Sequence, residues 1–394
     1  MLELLIDKDE NKKQIALLEN GNLVEYYIDD EKDIRKEGNI YVGVIKDVIK
    51  GMQAAFVDIG TEKNSFIHLK DLLPKVDETK EKIDENMQIS DVVKQNQKVL
   101  VQVKKDSNNQ KGARVSTHIN LPSKYIVLMP NTNIITASQK IEDDKEQKRL
   151  IKLVKENISE GNGAVIRTSA IGKNQEIIDD IKNIENKWIK ITEEYKKSKT
   201  NKPQIIYKAE NIIEKMILDL PENELEKVLT NNKEEYNKLL KFKKENSYMN
   251  SIKIELKQNE KISDHYDIEK NIEKISNRKI WLKCGGFITI DKTEALTAID
   301  VNTGKYTGTK NAQQTVYKVN EEATVEIAKQ IRLRDIGGII IIDYIDMQDE
   351  KNKQKIQQLL LENLKKDRAK TQVEGFTKLD LMEMTRKHIC SHKE

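Results

Sequence analysis

Two aspartates mark the part of this chain where residue types and spacing point most clearly to chemistry. Asp300 stands near the end of the apolar run ALTAIDVN, and Asp343 ends the apolar run IIIID. A helical pattern joins the two runs, and a strand–helix–strand unit normally has parallel strands joined by a right-handed crossover. Because parallel neighbours end at the same edge of a sheet, we expect the two carboxylates to lie close together.

Two neighbouring carboxylates repel each other unless a proton or a cation joins them. Mg²⁺ suits such a pair, because it usually takes one or two carboxylates together with water and phosphate oxygens. Asn302 lies two residues after Asp300, so it faces the same side of the strand and could hold a carboxylate or an attacked phosphate. The alternative is that Asp300 and Asp343 are ordinary strand-end aspartates that cap turns, and the pattern alone fits both.

The composition is that of a polar protein with several small cores. The 394 residues are enough for about two to four domains. Charged residues make up 34% and hydrophobic residues 37% of the chain. With 69 Lys and Arg against 66 Asp and Glu, the net charge is only +3. Any nucleic-acid site must therefore come from the local placement of charge.

Cysteine usage and the lack of targeting patterns favour a reducing compartment. Cys284 and Cys390 lie far apart and predict no disulfide framework. The start MLELLIDKDE has no signal-peptide pattern, and no apolar run reaches the length of a membrane span. We therefore expect a cytoplasmic protein. The sequence also contains no GxxxxGK[ST], HExxH or GxSxG motif.

The first part of the chain is typical of small β units. The runs ELLID and QIALLENGNLVEYYI alternate like a hairpin, with Asn20-Gly21-Asn22 as the turn. Five short strands follow Gly38 and predict a small OB-type barrel, with 71–97 as an inserted loop or short helix. The runs YIVLMP and GAVIRTSA then predict strands, and an apolar stripe from Ile177 to Ile191 predicts a helix.

The remaining part predicts helices and a second sheet. The stretch 208–258 is rich in Lys and Glu with helical periodicity, and SIKIEL predicts a strand at its end. Two strands follow Ile280, and a helix is predicted from about Gln313 to Arg334, ended by Gly337-Gly338. The buried strand IIIIDYIDM precedes a helix with an apolar stripe at Ile356, Leu360 and Leu364.

These residues, taken together, resemble the ribonuclease E/G family. TEALTAIDVNTGKYTG and EIAKQIRLRDIGGIIIIDYIDM are similar to the catalytic core of that family. GNIYVGVIKDVIKGMQAAFVDIGTEKNSFIHL resembles its OB-type RNA-binding module, called here the S-one module. GAVIRTSAIGKN resembles its 5′-sensor segment. HYDIEKNIEKI and LDLMEMTRK match further family patterns, so the resemblance runs through nearly the whole chain in the family's order.

The resemblance implies an α+β multidomain architecture. An RNase H-like subdomain would be split into 1–34 and 208–272 by two insertions. The insertions would be the OB-fold S-one module at 35–119 and the 5′-sensor at 120–207. A DNase I-like α/β catalytic domain would occupy 273–394. The hairpin in 1–34 needs strand partners, and 208–272 is expected to supply them.

The resemblance also implies roles for matching residues. Asp300 and Asp343 would bind a catalytic Mg²⁺, with Mn²⁺ as an alternative ion, and Asn302 would hydrogen-bond near the scissile phosphate. The other implied sites are a 5′-monophosphate sensor at Arg167 and Thr168 and an RNA-binding surface at Phe56, Phe66 and Lys111. Each has a simpler alternative: a surface ion pair for the arginine, a solvated loop for the lysine, and a place in the barrel core for the phenylalanines.

The end of the chain departs from the family pattern. The family continues into a CPxCxG-like segment through which two subunits share zinc, whereas this chain has only Cys390, between His388 and His392. We interpret this cluster as a frayed tail rather than a metal site. We therefore expect no stoichiometric zinc and a monomer or weak homodimer.

The leading hypothesis is a Mg²⁺-dependent endoribonuclease that cuts single-stranded RNA and favours 5′-monophosphorylated substrates. Its processes would be RNA processing and decay, with rRNA maturation as one candidate. The alternative is a non-catalytic RNA-binding regulator, favoured weakly by the missing zinc segment and opposed by the retained Asp300, Asn302 and Asp343. A third hypothesis, a DNA nuclease, is disfavoured by the S-one module and the 5′-sensor.

Overall fold

The computed structural model describes residues 1–10, 12–30, 35–73, 87–107, 111–198, 202–221, 224–258, 260–266, 268–304 and 312–390. The chain divides into two compact units. One unit combines Met1–Asp33 with Leu220–Glu394, and the other is Ile34–Asp219. Within the described ranges, no helix combines the length and apolar character needed to cross a membrane.

The elements are named in chain order. The strands are β1 (Leu2–Asp9), β2 (Lys12–Glu19), β3 (Asn22–Asp30), β4 (Ile40–Ile49), β5 (Ala54–Asp58), β6 (Ser65–His68), β7 (Lys98–Lys105), β8 (Arg114–Ser116), β9 (Leu121–Pro122), β10 (Ile126–Pro130), β11 (Ile135–Ala137), β12 (Asn162–Ile166), β13 (Gln204–Tyr207), β14 (Leu225–Thr230), β15 (Lys253–Leu256), β16 (Lys279–Trp281), β17 (Phe287–Lys292), β18 (Leu296–Asn302), β19 (Gly338–Asp343), β20 (Thr371–Phe376) and β21 (Leu381–Arg386). The helices are α1 (Leu69–Leu72), α2 (Ile89–Val92), α3 (Asp144–Asn157), α4 (Gln175–Lys197), α5 (Ile212–Asp219), α6 (Lys233–Glu245), α7 (Ile262–His265), α8 (Ile268–Ile275), α9 (Ala312–Leu333) and α10 (Glu350–Leu364).

The unit Ile34–Asp219 contains a closed five-stranded barrel, as the sequence predicts. Its strand order is β4-β5-β6-β8-β7, and β7 pairs back onto β4. Alternate residues fill the barrel, and Ile45, Val57 and Ile67 are fully buried. The predicted 71–97 insertion contains the end of α1 and all of α2, and its residues 74–86 lie outside the described ranges.

A second sheet in the same unit has the order β11-β12-β10-β9 and packs with α3 and α4. The predicted helical stripe is confirmed. Ile177, Ile181, Ile184 and Ile191 on α4 are all buried in one core with residues of β10 and β12. The segment that carries the predicted 5′-sensor therefore has its own hydrophobic core.

The other unit begins with a five-stranded sheet of order β15-β14-β1-β2-β3. Asn20 and Gly21 have φ values of 50° and 78° at the predicted turn between β2 and β3, as a tight hairpin turn requires. β1 pairs in parallel with β14, so the hairpin takes a partner from within 208–272. The helical prediction for 208–258 was wrong at Leu225–Thr230, because long-range pairing with β1 overrides the local charge-rich pattern.

A buried ion cluster joins this sheet to α9. Glu25 on β3 is fully buried, and its carboxylate accepts hydrogen bonds from Arg332 at 2.9 Å and from Arg368 at 2.7 Å. The Tyr27 hydroxyl donates to the same carboxylate at 2.9 Å. Burial alone raises the pKa of Glu25, but the two guanidinium groups outweigh it and hold the pKa at about 2. The carboxylate is therefore ionised at neutral pH.

The sheet that carries the two aspartates has the order β16-β17-β18-β19-β21-β20. β18 and β19 are parallel, whereas the other neighbours are antiparallel. Alternate side chains such as Ile299 and Ile342 are buried in a core with α9 and α10. The intervening side chains face the other side of the sheet, where Asp300 and Asp343 are exposed. We call that side the open face.

The end of α9 and the end of the described chain depart from the predictions. The helix ends at Leu333 rather than at the glycine pair, and Asp335 adopts the left-handed conformation with φ +48°. The Asp335 carboxylate accepts the backbone N–H groups of Ile389 at 3.0 Å and Cys390 at 2.7 Å. Cys390 is buried, so the frayed-tail interpretation was wrong for 388–390, while His392 lies outside the described residues.

Candidate active site and nucleic-acid interface

Asp300 and Asp343 are direct neighbours across two parallel strands. Asp300 on β18 is the register partner of Asp343 on β19, so the predicted strand–helix–strand arrangement is confirmed. The alternation that buries Thr297, Ile299 and Val301 on β18 turns Asp300 to the open face. Because directly opposed residues share a face of the sheet, the two carboxylates form one exposed pair.

The glycines around Asn302 bring two backbone segments together beside this pair. The Asn302 Nδ2 donates to Asp300 Oδ2 at 2.5 Å, so the amide does hold a carboxylate. Gly304 has φ +59°, and a Cβ there would lie 2.5 Å from the Gly285 carbonyl oxygen. A Cβ on Gly286 would lie 2.8 Å from the Asn302 carbonyl oxygen. The NTG and CGG sequences are therefore required for this close approach.

The electrostatics of the pair reveal a third carboxylate. The pKa of Asp343 is raised by partial burial, by the negative charge of Asp300 and by that of Asp346. Sequence reasoning did not single out Asp346, although IDYIDM places it three residues after Asp343. Its loop is held by α9, because Asn320 Nδ2 donates to the Ile345 carbonyl at 2.8 Å and accepts the Ile345 N–H at 3.1 Å.

The donor set at this edge fits Mg²⁺. Among the residues described, no group of three or more His, Cys, Asp or Glu side chains is arranged to hold a metal ion. The pair Asp300 and Asp343 instead offers two hard oxygen donors in an exposed position. Mg²⁺ usually binds through one or two carboxylates and completes its octahedron with water and substrate phosphates. The raised pKa of Asp343 also shows a repulsion that a cation would relieve.

The two phenylalanines lie on the outside of the barrel. Phe56 on β5 and Phe66 on β6 are register partners, with ring centroids 6.2 Å apart in an edge-to-face arrangement. Both rings are half-buried, while their neighbours Ala55, Val57 and Ile67 are fully buried inside. Neither ring belongs to the barrel core, so the core alternative does not describe them.

Basic side chains continue the row that these rings begin. Arg114 on β8 is the register partner of Phe66, and Lys105 on β7 is the partner of Arg114. The Arg114 Nη2 donates to Asp71 Oδ2 at 2.8 Å, and its side chain remains 49% exposed. Sequence reasoning missed Arg114, although its place between buried Ala113 and Val115 is the signal of an outward residue.

Lys111 is exposed on the segment that leads into β8. The following Gly112 packs so closely that a Cβ would lie 1.9 Å from the Asn64 carbonyl oxygen, next to β6. Any larger residue would push this segment away from the strand that carries Phe66. The glycine therefore determines where Lys111 leaves the barrel.

Arg167 and Thr168 lie at the end of β12. The Arg167 Nη1 donates to the Ser123 carbonyl at 2.8 Å, and its Nη2 pairs with Asp219 Oδ1. The Thr168 side chain is exposed at the start of a short 3-10 helix. The ion pair matches the simpler alternative for Arg167, and its role toward a phosphate stays a prediction.

A buried aspartate organises the backbone beneath Arg167. Asp180 on α4 accepts the Tyr125 N–H at 2.9 Å and the Ser123 hydroxyl. Burial raises the pKa of this carboxyl group against the lowering effect of those hydrogen bonds. Ser123 is thereby held where its carbonyl receives Arg167, so the guanidinium has a defined place.

Comparison with known proteins identifies the family. The family model described as Ribonuclease E/G family matches residues 120–389. The chain belongs to the ribonuclease E/G family. Ribonuclease G of Escherichia coli (strain K12) is 39% identical over 98% of this chain and 79% of its own length, and Ribonuclease G of Haemophilus influenzae gives the same figures. Ribonuclease E of Escherichia coli (strain K12) is 32% identical over 99% of this chain and 37% of its own length. The ribonuclease E/G resemblance of the motifs is thus confirmed.

Proposed function

We propose that this ribonuclease E/G family member is a Mg²⁺-dependent endoribonuclease that hydrolyses phosphodiester bonds within single-stranded RNA. The observation that carries the proposal is the register pairing of Asp300 with Asp343, with Asn302 on the same open face. Membership of a family whose relatives are named Ribonuclease G and Ribonuclease E supports the same reaction.

The proposed mechanism assigns one task to each polar group of the pair. Asp300 and Asp343 would hold Mg²⁺, which supplies positive charge for the phosphate and lowers the pKa of a bound water. The Asn302 amide orients the Asp300 carboxylate and presents its second N–H toward the open face, where a phosphate oxygen would accept it. Asp346 adds negative charge at Asp343, which favours a cation there over an empty ionised site.

The barrel surface would bind the RNA strand away from the reacting bond. Phe56 and Phe66 offer aromatic surface on which bases stack, and stacking tolerates any base because each has a π-face. Lys111 and Arg114 flank the rings with positive charge, which suits the phosphates of the same strand. Such a surface favours single-stranded over double-stranded substrate, since only unpaired bases present their faces.

The preference for a 5′-monophosphate would come from Arg167 and Thr168. A terminal phosphate carries more negative charge than the Asp219 carboxylate and can accept both a guanidinium and a hydroxyl donor. The phosphate would therefore compete with Asp219 for Arg167, while the Ser123 carbonyl keeps the guanidinium in place.

Several finer assignments belong to the same proposal. We assign the sheet β15-β14-β1-β2-β3 to an RNase H-like subdomain and the sheet of Asp300 to a DNase I-like domain, with the five boundaries given above. The protein would act in the cytoplasm in RNA processing and decay, with Mn²⁺ as an alternative ion. It would be a monomer or weak homodimer without stoichiometric zinc.

A cleavage assay tests the proposal against its two competitors. Labelled single-stranded RNA and DNA of one sequence are incubated with the chain, with Mg²⁺ or with EDTA. We expect internal cleavage of RNA only, abolished by EDTA and reduced by several orders of magnitude in Asp300→Asn or Asp343→Asn. Asp291→Asn is the matched control, since Asp291 lies on neighbouring β17 and pairs with Arg278. Binding without cleavage would indicate the regulator, and cleavage of DNA would indicate the DNA nuclease.

A further inference from the structure

The sheet that carries the two aspartates also bears an exposed tryptophan. Trp281 on the edge strand β16 is 56% exposed. Its ring packs edge-on against Phe287 of β17, with centroids 5.3 Å apart and planes at 61°. Packing against Phe287 restricts the indole, yet more than half of it stays in solvent. An aromatic side chain of this kind is typical of a surface that binds a ligand.

Strand register places this aromatic pair on the open face beside the candidate active site. Trp281 is the partner of Phe287, and Phe287 is the partner of Asn302, so the three form one cross-strand row. The next row on the same face contains Lys279, Thr289, Asp300 and Asp343. Neighbouring strands are about 4.8 Å apart, so about 10 Å of sheet separates the backbone of Trp281 from that of Asn302.

A lysine completes the surface. The Lys279 Nζ lies 3.5 Å from the centroid of the Phe287 ring and 4.2 Å from that of the Trp281 ring. An ammonium group over aromatic faces is held by cation–π attraction, but its long stem lets the same group reach a nearby anion. Aromatic faces with an adjacent cation are the elements with which proteins bind single-stranded nucleic acid.

We propose that Trp281, supported by Phe287, stacks a nucleobase close to the scissile phosphate, and that Lys279 binds a backbone phosphate of the same nucleotide. This inference rests on the proposed function and adds a base-binding subsite to the open face. Stacking on Trp281 holds the strand flat across β17 and β18, which brings its phosphates toward Asn302 and the aspartate pair. The barrel surface at Phe56 and Phe66 is a separate site with the same chemistry.

Tryptophan fluorescence gives a direct test, because the chain has only two tryptophans. The other is Trp188, which packs against the α4 core and is replaced in a Trp188→Phe variant. Asp343→Asn in the same chain prevents cleavage during the titration. We expect an RNA oligonucleotide with a mapped cleavage site to quench Trp281 emission. The same oligonucleotide with an abasic nucleotide beside that site should quench much less. Equal quenching by both, or none by either while RNA binds, would overturn the stacking.

Kinetics give the second test. Trp281→Ala should lower kcat/KM on the intact oligonucleotide by roughly 5- to 150-fold, the loss of one stacked base. It should have little effect on the abasic one, and Trp281→Tyr should retain most of the rate. Ile339→Ala is the matched control, because Ile339 is 49% exposed on the same face at the far end of β19. We expect this control to match the wild type.

The outcomes separate this inference from the function on which it rests. A wild-type chain that cuts no RNA with Mg²⁺ would remove the proposed function. A wild-type chain that cuts RNA, together with an unchanged kcat/KM in Trp281→Ala, would remove only the base-stacking subsite. An equal loss on intact and abasic RNA would assign Trp281 a structural role instead, and melting temperatures of the variants check that reading.

Discussion

The buried Glu25 carboxylate provides a quantitative test of how the sheet of β1 to β3 is fixed to α9. Its pKa falls from 4.5 to about 2 because Arg368 and Arg332 outweigh the cost of burial. One pKa unit corresponds to about 1.36 kcal/mol, so ionised Glu25 contributes about 3 kcal/mol to the free energy of unfolding at pH 7. Glu25→Gln should therefore lower that free energy by about 3 kcal/mol, since it leaves two guanidinium groups without their anion.

The sign of the pH dependence follows from the lowered pKa. The contribution is complete above the pKa of the unfolded chain, about 4.5, and is lost as the pH falls toward 2. The difference between wild type and Glu25→Gln should thus be constant between pH 7 and pH 5 and shrink below pH 4.5. Urea unfolding followed by circular dichroism at each pH measures it. Glu383→Gln, an exposed glutamate on β21, serves as the control. A difference below 1 kcal/mol at pH 7, or one that grows as the pH falls, would refute the reasoning.

Four further predictions concern the proposed sites. Without Mg²⁺ at pH 7, Asp343→Asn should melt at a higher temperature than the wild type. A raised pKa means that ionised Asp343 costs stability as pH rises, and the gain should shrink in acid; a lower melting temperature would contradict this. Arg167→Ala should erase faster cleavage of 5′-monophosphorylated over 5′-hydroxyl RNA without slowing the hydroxyl substrate, and a wild type without preference would remove the sensor assignment. Phe66→Ala should weaken RNA binding by about 1–3 kcal/mol with an unchanged melting temperature, and lost stability with normal affinity would count against stacking. Arg114→Ala should lower the slope of log K against log salt by about 0.7, whereas Arg149→Ala, another carboxylate-paired arginine, should not change it.

The sequence predicted the aspartate pair because its determinants are local. Alternating apolar residues identify β18 and β19, the helical period identifies α9, and the handedness of the crossover then brings Asp300 beside Asp343. The barrel was predictable for a similar reason, since its short strands follow one another with glycines at the bends. The outward position of Phe56 and Phe66 was not, because a phenylalanine on a strand looks the same from either face.

Features that depend on distant residues were missed. β14 has charged residues at Glu226 and Lys227, and only its parallel pairing with β1 makes it a strand. The order at Cys390 depends on the carboxylate of Asp335, far away on the chain. The neighbours of Trp281 are likewise decided by register between strands, which local composition does not record.

The pairing of β1 with β14 affects the order in which the protein is completed on the ribosome. Leu2 has its register partner at Leu225, so the first strand emerges long before the strand that will cover its free edge. At about 5–20 residues per second, the wait is roughly 10 to 45 seconds. The unit Ile34–Asp219 is synthesised in full during that interval and has cores of its own. The first hairpin of the nascent chain must therefore keep an unpaired strand edge from aggregating while a later-synthesised unit folds ahead of it.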